Sequence, residues 1–391
     1  MPGQQTFPGV STLIPLRRFY PAILALGSQR KNTVCALKGH TALVTPPVND
    51  LEDASDYTRF EEHILKAIDW LELPPAVIAY DLHPDYISSK IKDELCLRWS
   101  GARCAGVQHH HAHLASVLAE RGHAGDAIGI AFDGTGYGVD GTLWGGEILT
   151  IRGHGFTRAA WFAPIRLPGG VRAIREPWLI GLSLLQRTFG RGLFDLPLPM
   201  LERHTRGDID LALRMMERAI NAPLTSGCGR LFDGVSALLG VRDRVRFEGE
   251  AAMELERLLP DDWRSGDCYP FDADETPGGV IIESAPMIHA LVVDIAAGIP
   301  AGVCAAKFHN GIVRAVVSVV LRLREATGIR TIVMAGGCFL NRHLSEGIED
   351  ALERAGCTVL LPEQLPVGDA GISLGQAIVA AEEMTSEGVS C

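Results

Sequence analysis

Ala127-Ile128-Gly129-Ile130-Ala131-Phe132-Asp133-Gly134-Thr135-Gly136-Tyr137-Gly138-Val139-Asp140-Gly141 is the stretch whose reading decides the fold. Six small or apolar residues stop at an aspartate, and glycines then alternate with other residues. The pattern predicts a buried strand over 127–132 and a Gly/Asp turn over 133–141, with returning strands over 142–151. The same order opens the chain. Apolar runs at 22–26 and 33–37 flank the polar turn Gly27-Ser28-Gln29-Arg30-Lys31-Asn32, and 41–45 reads as a third strand. Two halves that both begin strand–turn–strand and continue into helices and strands predict a duplicated α/β domain with a cleft between its lobes.

Working outward, Phe60, Ile64, Ala67, Ile68 and Leu71 fall on one face of a helix over 57–71. A buried strand over 76–80 ends at Asp81-Leu82-His83-Pro84-Asp85-Tyr86, and a helix over 88–97 follows. From about 173 to 258 the pattern is helical and reads as an insertion, with segments at 182–187, 209–221 and 231–239. A strand over 331–335, a helix over 341–355, a strand over 358–361 and a helix over 372–384 close the chain. The expected organisation is a flexible leader over 1–20, a first α/β lobe over 21–123 and a second over 124–391.

The chain has 391 residues, 47 acidic against 36 basic, for a net charge of −11. That balance argues against nucleic acid as a partner, because phosphate backbones need a basic footprint. No run approaches the ~18 apolar residues of a membrane span. The first residues show no basic-then-apolar signal pattern, so a cytoplasmic enzyme is expected. Nine scattered cysteines, an odd number without a C-x-x-C pair, argue against a zinc ribbon or a disulfide framework.

Four histidines in five positions, within Val107-Gln108-His109-His110-His111-Ala112-His113, precede good helix formers. On a helix, His109 and His113 lie one turn apart, about 5–6 Å between Cβ atoms, and can share one divalent metal. Asp133 ends a strand beside Gly134, Thr135 and Gly136, where backbone N–H groups can approach phosphate. Asp369, beside Gly368 and Gly371, either caps the last helix or completes a His₂Asp₂ site with Asp133 and the histidines. Mixed N/O ligation suits Zn²⁺ or Fe²⁺ better than Mg²⁺. Gly336 and Gly337, before a helix starting near Asn341, let a ribose or ring lie on the backbone. Asp233 and Glu248 are candidate ribose acceptors, or ordinary caps and surface acids. Arg172 and Arg175 bring guanidinium groups near the loop at 167–170 for an anionic substrate. Cys338 reads as a half-buried structural thiol and Cys391 as an incidental tail cysteine.

Taken together, Val-Gln-His-His-His-Ala-His at 107–113, Asp-Gly-Thr-Gly-Tyr-Gly at 133–138, Trp-Gly-Gly-Glu at 144–147, Gly-Arg-Leu-Phe-Asp at 229–233, Phe-His-Asn at 308–310, Gly-Gly-Cys-Phe-Leu-Asn at 336–341 and Gly-Asp-Ala-Gly at 368–371 occur in that order. This set resembles the C-terminal catalytic domain of the HypF carbamoyltransferase family of nickel–iron hydrogenase maturation. It is also similar to the wider ATPase family that makes threonylcarbamoyladenosine in tRNA. Lys31-Asn32-Thr33 and the 81–86 cluster resemble the hydrogenase branch. The resemblance spans about residues 20–385.

The resemblance implies an actin/hexokinase-like bilobal fold of duplicated ribonuclease-H-like lobes, with ATP or carbamoyl-adenylate in the cleft. It implies His109, His113, Asp133 and Asp369 as ligands of a divalent metal (Zn or Fe, or Mg with ATP). It implies Asp133, Gly134, Thr135, Gly136, Gly336 and Gly337 near phosphate, and Asp233, Glu248, Gly249 and Asn341 around ribose and adenine. In the family a carbamoyl group from carbamoyl phosphate passes through carbamoyl-adenylate to the C-terminal cysteine of the partner HypE, and becomes a cyanide ligand. His110 would take the thiol proton, with Arg175 as the other catalytic candidate. Full-length members carry acylphosphatase-like, zinc-finger-like and adenylate-forming domains upstream; none is recognisable here, so the chain reads as a short form. Val171 stands where the family has Asp, and Leu179 where Arg is usual. Alternative expectations are O-carbamoylation of a small-molecule hydroxyl and a tRNA-modifying ATPase.

Overall fold

The computed structural model describes residues 11–260 and 266–388. The first half runs β1 (Thr12–Ala25), β2 (Arg30–Asn32), β3 (Cys35–Val44), β4 (Val48–Asp50), α1 (Ala54–Leu71), β5 (Val77–Asp81), α2 (Ile87–Lys90), α3 (Lys92–Arg98), β6 (Arg103–Val107) and α4 (His109–Glu120). The second opens on β7 (Ala127–Tyr137), β8 (Leu143–Arg152), β9 (Gly155–Phe162) and β10 (Ile165–Arg166). A helical stretch follows: α5 (Val171–Arg175), α6 (Trp178–Phe189), α7 (Pro199–Glu202), α8 (Arg206–Glu217), the short β11 (Leu224–Thr225), α9 (Cys228–Leu238) and α10 (Glu250–Glu256). The chain then continues through β12 (Asp272–Thr276), β13 (Gly279–Glu283), α11 (Ala285–Ala296), α12 (Ala301–Thr327), β14 (Thr331–Ala335), α13 (Arg342–Arg354), β15 (Thr358–Leu360) and α14 (Ile372–Gly388).

The duplication expected from hydropathy is visible in the sheets. One has strand order β3-β1-β5-β6; the other contains β8-β7-β14-β15, extended beyond β8 by β9, β13 and β12. In both, an antiparallel pair (β1 with β3, β7 with β8) is joined by two parallel strands. That order suits strands buried on both faces, so β5, β7 and β14 are apolar runs rather than alternating ones.

The helices that close the two halves are exchanged. Leu114, Val117 and Leu118 of α4 pack with Ala127, Trp144, Leu149 and Val333 of the second sheet. Leu374, Ala377, Ile378 and Ala381 of α14 pack with Ile14, Ile23, Leu37 and Val77 of the first. Each of the buried leucine, isoleucine and valine side chains contributes about 2 kcal/mol. α4 and α14 meet between the sheets, where a Cβ on Gly375 would lie 1.8 Å from the Ala112 carbonyl oxygen. Only a residue without a side chain allows that crossing.

Three local expectations are corrected. Residues 12–20, expected within a flexible leader, form the first part of β1, pairing with β3 and burying Ile14, Leu16 and Tyr20. The two strands expected over 33–45 are the single strand β3, whose register against β1 shifts between Pro15 and Ile23. The Gly/Asp turn begins five residues late: β7 runs through Asp133 to Tyr137, and the tight turn is at Gly138, whose N–H bonds the Thr142 carbonyl. Glycines do not break that strand, because they allow a close approach described below. A single disulfide among the described residues, Cys96–Cys104, ties α3 to β6. Cys391 lies outside the described residues. By length and composition one described helix, α12, could cross a membrane, and 56% of its apolar window is buried inside the molecule.

Candidate functional site

The exchanged helices place the chemistry. Gln108 caps α4, its side-chain oxygen accepting from His111 N–H at 2.9 Å, which fixes the first helical turn. His109 and His113 then lie one turn apart with ring centroids separated by 5.0 Å. Opposite them stands Asp133, on β7 where its register against β8 shifts between Phe132 and Gly136. Asp133 Oδ2 is 3.1 Å from His113 Nε2 and 3.5 Å from His109 Nε2. Asp369 opens the turn before α14, with Oδ1 3.6 Å from His113 Nε2. One ligand atom from each of these four residues lies within 4.8 Å of the others.

The strand glycines make room for the rings. A Cβ on Gly136 would come within 2.5 Å of His110 Cε1 and 2.7 Å of His109 Cδ2. Gly337 leaves a similar space, 3.1 Å from Asp133 Oδ1, and Gly336 takes φ +107° against the Phe132 carbonyl.

The donor set fits a divalent ion. His109 Nε2 is buried with no hydrogen-bond partner, while its Nδ1 lies 2.7 Å from buried Asp81 Oδ2. A carboxylate on the far nitrogen is the usual orienting partner of a metal-binding imidazole. Burial raises the Asp133 pKa, but the adjacent His109 and His113 imidazoles outweigh it and hold the group well below the ordinary range. Asp369 is raised, first by burial and then by Asp133. Burial opposes the charged form of His109, yet Asp81 and Asp133 carry its pKa well above 6.5. Two imidazoles and two carboxylates in such contact are balanced by a 2+ ion.

His110 is fully buried, with Nδ1 3.1 Å from Gln108 Nε2 and Nε2 without a partner. Burial, then His109, push its pKa well below 6.5. Such an imidazole is a weak base, which bears directly on its expected role. Arg175 is exposed at the end of α5, its carbonyl accepting from Val245 N–H. No contact among those described ties its guanidinium to the histidines.

The expected nucleotide residues divide into two groups. Gly134 abuts Arg230 and Glu248: a Cβ there would lie 2.6 Å from Glu248 Oε1. Fully buried Arg230 pairs with Asp233 at 2.9 Å and Glu248 at 3.1 Å, and Glu248 also meets Arg30 of β2 at 3.1 Å. Burial raises the Asp233 pKa to about 6 despite Arg230. Gly249 starts α10 at φ +88° with open space around it, and Thr135 is half-buried on β7. Asn341 has structural work: its Oδ1 accepts from Leu344 N–H as the cap of α13, and its Nδ2 lies 2.9 Å from His309 Nε2.

Sequence reading gave no role to Asp81, Tyr86 or Arg230. Asp81 was visible as a carboxylate at a strand end, the same signal that singled out Asp133. Tyr86 stacks on His83 at 4.1 Å; burial, then Asp81, Asp369, Asp133 and Glu248, hold its phenol protonated well above its usual range. Arg230 was hidden because one arginine inside a helical pattern carries no signal of burial.

Comparison with known proteins gives consistent matches. A family model described as carbamoyltransferase, Kae1-like domain, second subdomain, matches residues 129–376, and the HypF Kae1-like domain matches 19–120. Carbamoyltransferase HypF2 of Cupriavidus necator is 38% identical over 400 residues, covering 94% of this chain and 48% of that protein. A carbamoyltransferase HypF homolog of the same organism is 34% identical, with 95% of each chain covered. The crystal structure of full-length HypF in the phosphate- and nucleotide-bound form shares 34% identity at a TM-score of 0.89, over 95% of this chain and 48% of that one. The chain thus spans about half the length of the first curated relatives it matches.

Proposed function

The chain belongs to the HypF family, and from that premise we propose that it transfers a carbamoyl group from carbamoyl-adenylate to a protein thiol, the C-terminal cysteine of HypE, in hydrogenase maturation. The carrying observation is the four-residue cluster spanning two lobes beside the Gly134–Arg230–Glu248 corner. The proposed substrates are ATP with carbamoyl phosphate, or the adenylate made from them.

His109, His113, Asp133 and Asp369 would hold a divalent ion of the zinc or iron class, which when bound neutralises phosphate charge on the leaving AMP. Asp81 turns the His109 Nε2 toward the ligand position and fixes the tautomer. Gly134, Gly136, Gly336 and Gly337 leave backbone close to the cluster, so phosphate oxygens can reach N–H groups there. Asp233 and Glu248, both tied to Arg230, are proposed to face ribose hydroxyls, with Gly249 and Asn341 on the adenine side. Tyr86 stays protonated and can donate a hydrogen bond. His110 stays neutral, and its low basicity suits it to ordering the helix start rather than carrying the thiol proton. Arg175 is proposed to meet anionic groups of the acceptor.

The test is incubation of metal-loaded protein with ATP, labelled carbamoyl phosphate and an acceptor ending in cysteine, with and without a separate adenylate-forming protein. Label on the acceptor that disappears when its terminal cysteine is replaced supports the reading. Label on tRNA or on a small-molecule hydroxyl instead refutes it.

A further inference from the structure

A chain of ion pairs crosses the cleft, and its member from the first half, Arg30, has no part in the reaction described above. The segment around β2 is pinned on both sides: Gly27 N–H donates to Gln376 Oε1 at 2.8 Å, and the Thr33 hydroxyl to the Ala370 carbonyl at 2.9 Å. Between them Lys31 takes φ +45°, a left-handed backbone uncommon for any residue but glycine. Such a conformation persists where surrounding contacts impose it, and it concentrates at functional sites. The Arg30 carbonyl accepts from the Ser28 hydroxyl at 2.8 Å, and its guanidinium reaches in two directions. Nε donates to Asp50 Oδ2 at 3.0 Å, on β4 of the same half, and Nη1 to Glu248 Oε2 at 3.1 Å, in the second half. Asp50 is itself steadied, its Oδ1 accepting from Gln29 Nε2 at 3.2 Å and Glu52 N–H at 3.1 Å. The other Glu248 oxygen, Oε1, accepts from Arg230 at 3.1 Å, and Arg230 is anchored on Asp233 at 2.9 Å. Asp50–Arg30–Glu248–Arg230–Asp233 thus alternates in sign from one half to the other.

We propose that Arg30 is a positioning residue: from across the cleft it holds the Glu248 carboxylate in the orientation that accepts the ribose hydroxyls of a bound adenine nucleotide. This rests on the reading of Glu248 given above. A carboxylate offers about four lone-pair sites. Two guanidinium contacts, one on each oxygen, leave room for hydroxyl donors and remove the rotation that a carboxylate tied by one oxygen keeps. The fork matters as well as the charge. Nε and Nη1 lie in one rigid plane, so Asp50 sets the plane and the plane sets Glu248; a lysine ammonium carries the same charge without that geometry. With side chains 49% and 32% exposed, the Arg30–Glu248 pair contributes little to folding, so its effect is read in binding.

The test measures, by calorimetry on the whole metal-loaded protein, binding of ATP and of dideoxy-ATP, which lacks both ribose hydroxyls. A hydrogen bond to a charged group is worth about tenfold or more in affinity, so the unsubstituted protein should prefer ATP by about that factor. Arg30→Lys, which keeps the charge, should lower the preference to about two- to threefold with dideoxy-ATP affinity unchanged. Arg30→Gln should lower the preference equally. In a Glu248→Gln background neither substitution should lower it further, because the effect runs through Glu248. An unchanged preference in Arg30→Lys overturns the positioning role, as does a loss that persists in Glu248→Gln, and either leaves the proposed function standing. Absence of ATP binding by the unsubstituted protein removes the proposed function, and this inference with it.

Discussion

At the scale of single residues, Asp81 lies outside the proposed ligand set and is expected to govern it. It is buried and 2.7 Å from His109 Nδ1, so Asp81→Asn keeps the shape and removes the charge. Outer partners of this kind alter metal affinity about 10–100-fold, and calorimetric titration with Zn²⁺ should show a loss in that range. His309 gives a prediction about pH. Its Nδ1 lies 2.7 Å from the Ala305 carbonyl, and burial pushes its pKa down to about 4 from 6.5. The unfolded chain therefore takes up the proton first: the contribution is complete above pH 6.5 and is lost as pH falls toward 4. A shift of that size is worth about 3 kcal/mol. Urea unfolding of His309→Leu at pH 7 and pH 4.5 should show a smaller acid loss than the unsubstituted protein; equal losses would assign the effect elsewhere.

At the scale of elements, the crossing of α4 and α14 decides where the four proposed ligands meet. His109 and His113 lie on the helix that closes the first half, yet that helix packs on the second sheet; Asp369 precedes the helix that packs on the first. Gly375 permits the crossing, so Gly375→Ala must push the helices apart. Overpacking commonly costs about 1–3 kcal/mol, and the shift should also weaken metal binding although residue 375 is no ligand. Chemical denaturation together with metal titration would separate the two effects. Sequence reading reached the His helix, the strand end at Asp81, the strand that carries Asp133 and the closing helix, because hydrophobic period and glycine placement report local structure. It could not reach the exchange. An apolar face says that a helix is covered, and nothing in its spacing says by which sheet. Residues 12–20 were missed for a related reason: Pro15, Arg17 and Arg18 look like loop until β3 supplies the pairing.

At the scale of the whole molecule, the cluster draws His109 and His113 from one half of the chain and Asp133 and Asp369 from the other. The duplicated order, β3-β1-β5-β6 and β8-β7-β14-β15, brings two sets of strand ends to one cleft. The four proposed ligands were legible because Asp133 and Asp369 have glycine beside them and His109 and His113 stand one turn apart at a helix start. The buried pairing of Arg230 with Glu248 was not, since it joins residues 18 apart across a loop. A bound ion should stabilise both halves together: at 100 times its Kd, metal raises unfolding stability by about 2.7 kcal/mol, read as a higher thermal midpoint. The most direct test of a site built across the lobes is metal content by equilibrium dialysis and elemental analysis. One divalent ion per chain is predicted, lost alike in His113→Ala and in Asp369→Ala, and kept in His110→Ala. Retention of the ion in either of the first two variants would contradict it.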